Sequence, residues 1–182
     1  MIETGIDVVT FLKRQHDDIK LLFQGVLLAR GETRELEFRS LRRVLAIHEA
    51  AEETVVHPAA RKTLPVGDRT VDIRLAEENS AKRLLGELEG PPVDSVAFER
   101  GIRELRHIVV SHAVAEEQEE FVRLGVTFDA LRLARMRRVA ELVERFAPTR
   151  PHAGVESATA SLLVGPFAAM MDRARDALTE RR

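Results

Sequence analysis

The sequence predicts an all-α protein, on three observations. It is rich in Ala, Leu, Glu and Arg, which are among the better helix formers. Apolar residues recur at spacings of three and four in stretches separated by glycine and proline. No stretch shows the strict alternation of a half-buried strand, and neither Asn-Gly nor Asp-Gly marks a hairpin. Of 182 residues, 45% are hydrophobic and 32% charged, enough for a core beneath a charged surface. A net charge of −2 gives no basic excess for nucleic acid. No apolar run reaches the roughly 18 residues of a membrane-crossing helix, and no basic-then-apolar leader opens the chain. The absence of cysteine removes disulfides, zinc–thiolate sites and thiol chemistry. The expectation is a cytoplasmic protein with neither a nucleic-acid nor a membrane partner.

The elements follow in order. Asp7 can cap a first helix that Gly31 can stop, giving a span of 7–30 in which Leu12, His16, Ile19 and Phe23 form one stripe. A second helix is expected over 33–60, with His57-Pro58 marking its last turn or a kink. Leu64-Pro65-Val66-Gly67 reads as a loop. A third helix, 68–88, carries Ala81, Leu84, Leu85 and Leu88 on one face, and Gly90-Pro91-Pro92 ends it. A fourth, 95–124, carries Leu105, Ile108, Val109, His112 and Glu116 inward, with an interruption expected near Gly101. Beyond Gly125 a fifth helix spans 129–146. A last amphipathic segment spans 156–181, kinked or split at Pro166.

The chemistry concentrates in two His-x-x-x-Glu pairs, His48/Glu52 and His112/Glu116, on different helices. Four residues turn a helix by about 400°, so each imidazole shares a face with its carboxylate. Those faces also carry apolar residues, Leu41, Leu45 and Val55 for the first and Val109 and Ala113 for the second. Buried unpaired polar groups are costly. Nitrogen and oxygen ligands aimed inward from separate helices are the raw material of a metal site in a bundle core. His16, alone on its stripe, would read as a hydrogen-bonded core histidine; beside the two pairs it becomes a ligand candidate.

Other residues read as bland. Glu49 and Glu53, which flank the first pair, are expected on the surface, with Glu49 able to reach the rim. Glu117, Glu119 and Glu120 belong to a charge run expected on a solvated face. His57 lies about 180° from His48 on an unbroken helix, so no direct role is expected. His107 reads as surface or packing, His152 as exposed, Met170-Met171 as packing, and the arginines of the fifth helix as a solvated face.

His16, the run HEAAEETVVHP and the run HAVAEEQEEF together resemble the hemerythrin-like HHE cation-binding domain over roughly 7–124. The resemblance implies an up-and-down four-helix bundle, residues 1–125, with 126–182 as a C-terminal helical extension. It also implies two iron ions, oxo- or hydroxo-bridged, although the ligand types also suit manganese or zinc. Carried over, Glu52 and Glu116 bridge, and His16, His48 and His112 are terminal ligands. Glu117 is the alternative to Glu116. The family's third-helix histidine is matched here by Asn79, so Glu78, or its neighbour Glu77, takes that place or a ligand is lost. A protein that binds dioxygen, peroxide or nitric oxide, or that senses iron, is implied. The rival is a metal-free bundle acting through its C-terminal helices, which could also carry a homodimer.

Overall fold

The computed structural model describes residues 6–146. Within them lie four helical rods and a fifth helix packed across them, and no strand occurs among the described residues. The first rod is α1 (Val8–Leu28). Asp7 caps it as expected, its carboxylate accepting the Thr10 N–H at 2.7 Å. It ends two residues short of the expected boundary. Gly31, with φ of 55°, opens the next helix rather than closing this one.

The second rod joins α2 (Gly31–Ala51), a π-helical turn (Glu52–Val56) and α3 (His57–Thr63). The expectation that His57-Pro58 marks the last turn of this helix is corrected. Pro58 falls in the first turn of α3, where a missing N–H is tolerated, and the rod runs on to Thr63. The adjustment is taken up just upstream, where the His57 N–H reaches back five residues to the Glu52 carbonyl.

The third rod is α4 (Gly67–Glu87) and the fourth joins α5 (Val96–Gln118) to α6 (Glu120–Thr127). Gly101 does not interrupt α5. It marks a close approach to the end of α4, since a β-carbon there would lie 2.7 Å from Leu88 Cδ2. The break falls instead at Glu119, with φ −106° and ψ −64°. The last described helix, α7 (Ala130–Phe146), packs on α1, α2 and the π turn. The segment expected over 156–181, with His152, Met170 and Met171, lies outside the described residues.

Apolar packing falls in two clusters. One gathers Phe23, Phe38, Leu41, Leu85, Phe98 and Leu105 from α1, α2, α4 and α5. The other joins Leu12, Val55, Phe121, Leu124, Leu133 and Met136 under α7. Each such side chain contributes about 1.5–3 kcal/mol on burial. Along α1, His16 falls between Leu12 of one cluster and Ile19 of the other; along the fourth rod, Glu116 falls between Val109 and Phe121. The polar layer is therefore sandwiched between two apolar ones. No helix among the described residues is long and apolar enough to cross a membrane.

Candidate metal centre

The first, second and fourth rods bring His16, His48, Glu52 and Glu116 to one point, with ligand atoms within 4.8 Å of one another. His48 Nε2 stands 3.2 Å from Glu52 Oε1, and His16 Nε2 stands 3.6 Å from Glu52 and 3.5 Å from Glu116. Glu116 also belongs to a second group with His112 and Glu78, and to a third with His57 and Glu120. It thus sits between both halves of the cluster. His112 Nε2 is 3.3 Å from Glu116 Oε2 and 4.0 Å from Glu78 Oε1.

Each of the three expected histidines is steered through its other nitrogen. His16 Nδ1 donates to Glu117 at 2.9 Å, His112 Nδ1 to Glu77 at 3.0 Å, and His48 Nδ1 to the Gln15 side-chain oxygen at 2.8 Å. Gln15 in turn donates to Glu144 on α7. Such contacts fix the ring and the tautomer, leaving Nε2 free to face the cluster. They also separate the two pairs of neighbours that the sequence left open. Glu116 and Glu78 face inward at 0% and 2% exposure, while Glu117 and Glu77 orient histidines from the rim.

A family model for the hemerythrin HHE cation-binding domain matches residues 7–124. The chain belongs to this family. A crystal structure of an HHE cation-binding domain-containing protein from Mycobacterium kansasii superposes with a TM-score of 0.68 at 19% identity. The match covers 93% of this chain and 99% of that one, and it shows the shared helical-bundle fold. No curated protein matches the sequence significantly.

The structure places one further histidine in the cluster, which the sequence concealed. His57, given no role on an unbroken helix, is 3% exposed and inside the cluster. Its Nε2 lies 2.7 Å from Glu78 Oε1 and its Nδ1 3.2 Å from Glu120 Oε1. The π turn explains the correction. One extra residue in a turn removes about 100° of rotation, so His57 moves from about 180° to about 80° of His48. His57 thereby brings an imidazole to the half of the cluster that holds Glu78 and Glu120. Glu120, expected in solvent, has no exposed surface at all. Its signal was legible: His112, Glu116 and Glu120 follow at intervals of four. The surface placement of Glu49 and Glu53 is also corrected, because Lys82 of α4 draws both inward, at 3.4 and 2.8 Å. His107 is exposed, as expected.

The electrostatics are those of a dry, crowded site. Burial alone would depress His16, but Glu116 and Glu52 override it and push its imidazole up to about 10. Burial likewise opposes His57 and His112, and their carboxylate neighbours drive both well above the ordinary imidazole range. Against its own burial, Glu52 is held well below the usual carboxylate range by His48 and His16. Glu49 goes the other way: burial pushes it up to about 8 despite Lys82. Beside the ligand atoms lies a cavity of about 20 Å³, walled by Leu45, Ala81 and Val109 as well as His48 and Glu78. It has room for about one water-sized molecule.

Proposed function

We propose that this HHE domain holds two iron ions among the four rods and uses them to bind a small ligand such as dioxygen, peroxide or nitric oxide, or to sense iron. One observation carries the reading. Both oxygens of Glu52 and of Glu116, Glu120 Oε2, His16 Nε2 and His112 Nε2 are buried and make no hydrogen bond among the described residues. Orphaned buried polar atoms are rare, and these converge on one point. Mixed nitrogen and oxygen donors fit iron, and would also accept manganese or zinc. Four carboxylates, Glu52, Glu78, Glu116 and Glu120, carry the formal charge that offsets two divalent cations.

In this reading Glu52 and Glu116 would hold both ions, His16 and His48 would serve one, and His112, Glu78, His57 and Glu120 would serve the other. Bound iron supplies reversible electron transfer and open positions for a small ligand. The chain's own part is to orient the imidazoles through Glu117, Gln15 and Glu77, and to keep water out with the two apolar clusters. The cavity beside the cluster has room for about one water-sized molecule, which favours a very small ligand over an organic substrate.

The test is elemental analysis with an optical spectrum on protein grown with iron. Two irons per chain are expected, with marked loss in His48→Ala and Glu52→Ala. A folded chain that binds no metal under reconstitution would overturn the proposal and favour the metal-free bundle.

A further inference from the structure

One buried cation lies against the cluster. Lys82 of α4 is 9% exposed, and its ammonium stands 2.8 Å from Glu53 Oε1, 3.4 Å from Glu49 Oε2 and 3.5 Å from Glu78 Oε2. Glu78 has one oxygen in each neighbourhood. Oε2 faces Lys82, while Oε1 faces His57 at 2.7 Å and His112 at 4.0 Å. Glu49 is 8% exposed, lines the cavity beside the cluster, and has an Oε2 that makes no hydrogen bond among the described residues. The Glu53 and Glu49 side chains are alike in exposure, at 10% and 11%, and Glu78 lies deeper at 1%. The backbone of α2 packs closely on α1 and α7, and that of α4 on α3 and α5. Between α2 and α4 the Lys82 ion pairs bridge a wider gap.

We propose that Glu49, Glu53 and Glu78 form an entry subsite for a divalent cation at the α2–α4 gap, whose place the Lys82 ammonium keeps until the ion arrives. The inference rests on reading the inner cluster as a metal centre. Contacts of 2.8–3.5 Å to the ammonium are longer than the roughly 2.0–2.2 Å of a metal–oxygen bond, so the three carboxylates close on the ion only as Lys82 swings outward. Glu78 then passes the ion inward, because its other oxygen already belongs to the inner cluster. The three carboxyl groups flank the α2–α4 gap, and Glu78 joins that gap to the inner cluster.

The experiment follows the loading of the metal-free full-length chain with cobalt(II), read from its visible absorption in stopped flow, with final stoichiometry from elemental analysis. Glu53→Gln is expected to keep two ions per chain but to load about tenfold more slowly, the scale of a lost electrostatic focusing effect. Lys82→Met, checked for folding by circular dichroism, is expected to load faster. If Lys82→Met does not fold, Glu53→Gln carries the test alone. Equal loading rates for Glu53→Gln and wild type, with two ions bound in each, overturn the entry subsite and leave the centre standing, with entry on the side of Lys20 and Glu77. A drop in final stoichiometry at an unchanged rate also overturns it, because Glu53 would then be a ligand. Wild type that takes up no cobalt at all defeats the metal centre itself.

Discussion

The second and fourth rods make an instructive pair. Each carries a His-x-x-x-Glu pair, each departs from α-helical geometry within one turn after the glutamate, and each then adds one more buried polar residue to the cluster. On the fourth rod that residue is Glu120, four beyond Glu116, and the departure at Glu119 leaves it where a regular helix would put it. On the second rod the residue is His57, five beyond Glu52, where a regular helix would turn it away. There the π turn is what brings it in. The two rods thus reach similar ends by different means: one by sequence spacing, the other by a local change in helical pitch.

The largest effect should come from the rod that depends on the π turn. His57→Ala removes the only hydrogen-bond partner that Glu120 has among the described residues, together with the closest contact of Glu78. Two carboxylates would be left in a dry interior, at a cost of about 3–5 kcal/mol, the scale for breaking a buried pair. Denaturant unfolding of the metal-free variant measures it. Elemental analysis should show one ion retained, held by His16, His48, Glu52 and Glu116. Two ions retained with unchanged stability would mean that the π turn places His57 without consequence, and that the two rods are not functionally alike.

What was legible in the sequence follows the same division. The helices, the cap at Asp7, and the inward faces of His16, His48, Glu52, His112 and Glu116 could all be read from the sequence pattern. His57 could not, since nothing in EETVV announces a π turn and Pro58 pointed to an ending. Glu49 and Glu53 could not either, because their burial depends on Lys82, a partner on another helix. Glu77 and Glu78 differ by about 100° of helical phase, and only the rotation of α4 in the bundle decides which faces inward. Interruption at Gly101 was the wrong inference from a right observation: the glycine is there for close packing against Leu88.

Protonation gives a subtler effect that both halves share. In metal-free protein the His16 imidazole is raised from the ordinary 6.5 to about 10. A group raised on folding stabilises the folded state fully below its unfolded value, and that contribution is lost as pH climbs through the folded one. The metal-free thermal midpoint should therefore fall between pH 6.5 and 10, with the raised His57 and His112 adding to the same trend. The iron-loaded protein should show little of this fall, because a bound cation takes the place of the protons. A metal-free midpoint that rises across this window would mean the imidazoles are neutral and the carboxylate contacts carry no charge attraction.

The smallest effect tests whether the rods must be held at their far ends. Ser95 accepts the Phe98 N–H at 3.2 Å and so caps α5. Ser95→Ala should lower stability by about 1 kcal/mol, the usual cost of a lost cap. Seventeen residues separate Ser95 from His112, about 25 Å of helix, and the core around Phe98, Ile102 and Leu105 lies between them. Metal content should stay at two ions, since loosening one end of a rod packed along its length does not turn the other. A variant that keeps its stability but loses metal would show the reverse: that the register of the fourth rod at the cluster is set from its N-terminal end, and that the regular spacing of His112, Glu116 and Glu120 depends on more than its own helix.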